Sequence, residues 1–257
     1  STGDSSIGIY SQGGTVTSIG NATIGKNSVG IYGKETGATL NGNLTLGEKG
    51  VGLYIDNSDL TKGDTKVTGN ATIGANGAIG IQATNSNVEL GGDLTVGDND
   101  SKGIFSMNAG NIETKGNVTV GKNSVGIYKN GSGEIKTAAG KTLTVANSAY
   151  GIFSKGAKLI NNMNVTVGKD SIGAYVDGND LTSTGTVTVG DKGVGLLVKG
   201  DGKTLTSTGN ITVGSNNSVG LYAGDNASIA QSGNITVADN NGIGVYSKGS
   251  GNVSTIG

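Results

Sequence analysis

The sequence predicts an all-β fold: a right-handed, single-stranded parallel β-helix of about eleven coils, each of 22–28 residues with three short strands. Three observations predict it. A phrase close to Val-Gly-Ile-Tyr recurs eleven times, with its glycine at Gly8, Gly30, Gly52, Gly80, Gly103, Gly126, Gly151, Gly173, Gly195, Gly220 and Gly244. A second phrase, Asn-x-Thr-(Ile/Val/Leu)-Gly, precedes it in fixed register, as in Asn21 to Gly25 and Asn117 to Gly121. A variable stretch between the two keeps an apolar–polar alternation, as in Ala38 to Asn41, Asn111 to Thr114 and Thr204 to Ser207.

Each phrase becomes one strand. Alternate residues of a strand face the same side, so in the first strand Val29 and Ile31 are expected inside, with Gly30 and Tyr32 outside. The variable stretch forms the second strand, closed at both ends by Gly, Asn, Asp and Lys turns. In the third strand, Ala22 and Ile24 and their counterparts are expected to form two inward aliphatic columns, with Asn21 and Thr23 outward. With strands about 4.8 Å apart, eleven coils make a rod about 50 Å long with a close-packed interior. The leucine-rich repeat has an overlapping period, but its Leu-x-x-Leu-x-Leu phrase and its helical segment are missing.

Composition bounds the function. Gly supplies 50 of 257 residues and Pro none, which excludes collagen and Pro-driven linkers. The net charge is −1, every cation is a Lys, and no basic face emerges, so nucleic acid has no electrostatic footprint. The absence of Cys excludes disulfides, thiol nucleophiles and Cys-based zinc sites. No run approaches the roughly 20 apolar residues of a membrane span, and no signal-peptide pattern opens the chain. Neither end looks like a capping repeat. Residues 1–257 therefore read as one continuous fragment of a longer β-helix, without caps, signal peptide or translocator barrel, whose partners include the neighbouring coils of that longer chain.

Function must then be sought in columns of stacked residues. Thr fills one third-strand position in ten coils, from Thr23 to Thr236, as expected if it packs and hydrogen-bonds along a ladder. An ice-binding face would need a second Thr rank, and that column is mostly Asn. The same columns create Asn-x-Thr sequons at Asn21, Asn43, Asn70, Asn117, Asn164, Asn210 and Asn234, which the ladder itself explains. Nine of the ten aromatic residues share one column: Tyr10, Tyr32, Tyr54, Phe105, Tyr128, Phe153, Tyr175, Tyr222 and Tyr246, broken by Gln82 and Leu197. Two readings of it stand open, a structural ladder of rings and a platform for sugars or peptides.

Catalysis finds little support. The chain has no His, and no pair of carboxylates recurs at a fixed separation. Asp98 to Asp100 and Asp177 to Asp180 hold oxygen ligands for Ca²⁺ but complete no known loop, and Asx-rich turns account for them. No metal or cofactor is expected. Departures from the period point to loops, chiefly Asp56, Asn57, Asp59, Lys62 and Asp64 in the longest coil, with smaller excesses over 129–140 and 199–203.

The Ser-Val-Gly-Ile-Tyr phrase at Ser124 to Tyr128, the Gly-Asn-Ile-Thr-Val-Gly phrase at Gly209 to Gly214 and the Lys-only, Asn-rich composition resemble the passenger regions of type V autotransporters. They are most similar to the large fusobacterial outer-membrane adhesins. The resemblance spans the whole chain and implies a stalk on the bacterial surface, tethered to the outer membrane. It also implies adhesion to host cells or other bacteria through surface glycans or proteins. The shared phrases belong to the scaffold, so no binding residue carries over. A secreted carbohydrate-active β-helix and a structural or ice-binding solenoid are the alternatives.

Overall fold

The computed structural model describes residues 1–238 and 240–256. Its strands form three parallel sheets, two of eleven strands and one of ten, and each strand pairs with its counterparts in the adjacent coils, the end strands on one side only. The chain thus winds as a β-solenoid of about eleven coils, three strands to a coil. The first sheet runs from Ile7–Gln12 to Ile243–Ser247, the second from Thr15–Ile19 to Val253–Thr255, and the third from Ala22–Ile24 to Ile235–Val237. Among the described residues the one helical element is a 3-10 turn at Leu60–Lys62.

The third sheet follows the expected alternation. Leu44 and Leu46 are buried while Thr45 is exposed, and the same pattern recurs at Leu94–Val96, Val118–Val120 and Val187–Val189. Register is strict, with Thr23 beside Thr45 and Thr95 beside Thr119. The side-chain hydrogen bonds from coil to coil at this corner come from the Asn column rather than the Thr hydroxyls. Asn21 Oδ1 accepts the backbone N–H of Asn43 at 3.0 Å, and Asn43 Oδ1 accepts that of Asn70 at 2.8 Å. Asn70 then accepts from Asp93, and Asp93 from Asn117. A residue near φ +55° closes the next turn, for example Asn27, Asn76 and Asn123, a conformation that Asn tolerates better than most residues.

The first sheet departs from the expectation. Val29 is half-buried on the outer side, whereas Gly30 and Ile31 are both buried. A Cβ placed on Gly30 would meet the carbonyl oxygen of Gly52 at 2.5 Å and Ile24 Cδ1 at 2.7 Å. The glycine therefore faces inward at a bend in the strand, and two consecutive inward residues break the alternation. The β-ladder itself skips it, pairing Val29 with Val51 and Ile31 with Leu53. At Gly126 the neighbours are the Gly151 carbonyl at 2.5 Å and Val120 Cγ2 at 2.8 Å. Close approach of one coil to the next, rather than a positive φ, thus demands this column of glycine. The inward Ser before Val completes the corner: Ser124 Oγ donates to the carbonyls of Gly97, at 2.8 Å, and Lys122.

One continuous apolar core runs the length of the solenoid, from Ile24 to Ile229. Two inward columns change character along it. In the second sheet Leu40, Val67 and Leu90 give way to Thr114, Thr137, Asn161, Ser183, Ser207 and Gln231, all buried. In the first sheet Ile55 and Ala83 give way to Ser106, Lys129 and Ser154, then return to Val176 and Val198.

Candidate contact surface

Outward positions give the three sheets different faces. The third sheet presents Thr and Asn. The second presents a charged cluster, in which Lys66 Nζ lies 3.1 Å from Glu89 Oε1 and Lys115 Nζ lies 2.7 Å from the same oxygen and 3.7 Å from Glu113 Oε2. The hydrogen bond from Lys115 and the second one from Lys66 hold the Glu89 carboxyl below the usual range, whereas Lys115 is raised. This cluster clasps neighbouring coils through opposite charges.

The first sheet presents the apolar face. All nine predicted aromatic residues fall in a single outward column, as the register from Tyr10 beside Tyr32 to Tyr222 beside Tyr246 shows. Tyr32 and Tyr54 stack with centroids 4.9 Å apart and planes 4° from parallel, and Tyr10 joins them at 5.4 Å. Phe105, Tyr128 and Phe153 form a second stack at 5.0 and 5.2 Å, and Tyr222 with Tyr246 a third at 5.0 Å. Tyr175 meets Phe153 edge-on at 4.8 Å. Gln82 and Leu197 separate the groups, as expected.

This stacking decides how the column can touch a ligand. Within a stack the facing ring surfaces cover one another, so between the stack ends what remains exposed is ring edges and hydroxyls. Burial, with Asp56 beside it, pushes the Tyr54 phenol above its usual pKa, and burial with Asp177 and Asp225 does the same for Tyr175. Both therefore stay protonated and able to donate.

Beside the rings runs a column that the sequence had placed inside. Val29, Val51, Ile79, Val125, Ile172, Val194 and Val219 are half-buried outward residues, interrupted by Lys102. Tyr150, the aromatic residue outside the ladder, belongs to this column and packs edge-on against Phe153 at 5.8 Å. Strict alternation concealed this second apolar column. The clue was the glycine itself, which gains nothing from an outward position in all eleven copies.

The long-coil loop is stitched to the body. Asn57 is 2 % exposed, its Oδ1 accepting the Thr36 N–H at 2.8 Å and its Nδ2 donating to the Gly63 carbonyl at 3.3 Å. It is a structural residue. Asp59 caps the 3-10 turn by accepting from Thr61 N, and the Thr61 hydroxyl holds its carboxyl below the usual range. Glu35 from the preceding coil accepts from Ser58 N and Oγ, both at 2.8 Å, and lies 3.5 Å from Lys62 Nζ. The Ser58 hydroxyl is the main cause of its lowered pKa. Asp56 is half-buried, and exposed Asp64 accepts from Asn87 Nδ2 at 2.9 Å. Ser58, Asp59 and Leu60 are left projecting. Of the excess over 129–140, Lys129 and Asn130 end the strand Val125–Asn130 and Glu134–Thr137 forms the next, so only 131–133 and 138–140 lie in turns, and Lys129 is fully buried.

No family model, curated protein or solved structure matches the chain. Function must be argued from these surfaces alone. Among the described residues no cluster of three or more His, Cys, Asp or Glu could hold a metal ion, and no helix is long and apolar enough to cross a membrane.

Proposed function

We propose that this chain is a non-catalytic, surface-displayed β-helical stalk of a type V autotransporter adhesin, located on the bacterial cell surface and tethered to the outer membrane. It mediates or supports attachment to host cells or other bacteria, with surface glycans or proteins as partners. The observation that carries this reading is the outer face of the first sheet. There an aliphatic column and an aromatic column lie side by side along the rod, half exposed, while the other two faces are polar. A contiguous apolar strip flanked by polar faces is the usual form of a protein-contact surface. Because the ring faces are already stacked, the strip suits side chains packing across ring edges better than flat sugar rings.

The repeats also support a spacer role. Every coil bonds chiefly to its neighbours, so length is added without new long-range contacts and folding can propagate from one end. Neither role needs a reactive group. Displaying the chain on a bacterial surface tests the reading: cells carrying it should adhere to epithelial cells or partner bacteria more than cells with an empty display scaffold. Val125→Lys with Ile172→Lys should reduce adhesion severalfold if the strip binds, and leave it unchanged if the stalk only spaces. Adhesion equal to the empty scaffold contradicts the proposal.

A further inference from the structure

The two inward columns of changing character coincide in one place. From the second to the tenth coil, only coils five to seven carry a polar residue in both: Ser106 with Thr114, Lys129 with Thr137, and Ser154 with Asn161. Coils three and four carry Ile55 with Val67 and Ala83 with Leu90 at the same positions, and coils eight and nine restore Val176 and Val198 in the first sheet.

Their hydrogen bonds compensate unevenly. Ser154 Oγ donates to the Ala157 carbonyl at 2.7 Å, and Thr137, Asn161 and Ser183 form a connected series at 3.1 Å per link. Thr114 Oγ1 is buried without a partner, as are Ser207 Oγ and Gln231 Oε1 in coils nine and ten, where the first-sheet position is the apolar Val198 or Ala223. Lys129 Nζ donates to the Asn108 carbonyl at 2.7 Å and to Ser106 Oγ at 3.2 Å, but no carboxylate lies within ion-pair distance of it among the described residues. Buried hydroxyls forfeit the transfer free energy of the aliphatic groups they replace, and an unpaired buried cation is costlier still. In a solenoid such losses stay local, because stability is a sum of coil and nearest-neighbour contributions.

We infer that coils five to seven, residues 102 to 171, are a built-in weak waist at which the rod opens before the coils on either side, dividing it into two blocks that stay wound and that, from the second to the tenth coil, carry a polar residue in at most one of these two columns. In a stalk under tension, the waist would yield before either block. Hydrogen exchange read by mass spectrometry on the full chain tests this. Amides of the strands between Lys102 and Val167 should exchange at least about tenfold faster than those of coils three, four, eight and nine. Thr114→Val combined with Lys129→Met should slow exchange in coils five to seven selectively, with the outer coils changing little. Uniform protection along the rod, first opening in coils three and four or eight and nine, or equal slowing everywhere in the double variant would each overturn the inference. Limited proteolysis of the same proteins gives a second readout, with first cleavage expected within 102–171.

Discussion

Two residues show how tightly sequence and structure are coupled here. Gly126 sits where any Cβ meets the backbone of the next coil, so Gly126→Ala should destabilise the chain by about 2–4 kcal/mol, read as a lowered denaturation midpoint. Ser132→Ala on an exposed turn should change stability by no more than about 0.5 kcal/mol. Lys129 is the second case. Burial lowers its pKa to about 8, below the value near 10.5 of an exposed lysine. Between these two values the unfolded chain holds more protons than the folded one, so this lysine makes stability rise with pH from about 8 to 10.5. The loss is complete below pH 8. Lys129→Met should therefore stabilise the fold at neutral pH, by about 1–2 kcal/mol once the Asn108 carbonyl and Ser106 hydroxyl that lose their donor are counted. The difference between the two proteins in urea melts should shrink as pH rises through that window. The sequence marked Gly126 as special through recurrence, whereas Lys129 reads as the start of the loop excess over 129–140. It in fact continues the strand two residues after inward Ile127, and alternation alone puts it on the inner side.

Elements are held by repeated side-chain rungs as well as by the sheet ladders. Asn70 both supports Asp93 through its Oδ1 and rests on Asn43 through its backbone N–H. Asn70→Ala should cost about 1 kcal/mol, measured by chemical denaturation, since one exposed rung is lost to water. Asn57→Ala should be worse, at about 1–3 kcal/mol, because it leaves the buried Thr36 N–H without its acceptor. It should also raise protease sensitivity over 56–64. The three strands per coil, the aliphatic columns of the third sheet and the aromatic column were legible because each repeats in fixed register. The role of the long loop was not. Extra residues announce an insertion, but nothing in Asp56 to Asp64 distinguishes the residue that anchors it, Asn57, from those that project. Likewise, recurrence alone could not tell that Asn rather than Thr makes the rungs.

At the scale of the whole molecule, the account rests on one relation: each coil lies directly on the one before it, in parallel and without slippage, so that every column is continuous. The contact strip, the glycine column and the waist all follow from that relation. Paired cysteines test it most directly, since the chain has no thiol of its own. Thr119 and Thr144 are register partners in adjacent coils, both exposed, whereas Thr119 and Thr166 are two coils apart. Thr119→Cys with Thr144→Cys should form an intramolecular cross-link readily under mild oxidation or with a short bifunctional thiol reagent, and Thr119→Cys with Thr166→Cys should not. Equal cross-linking of the two pairs, or cross-linking of the second alone, would contradict the stacking on which the rest depends.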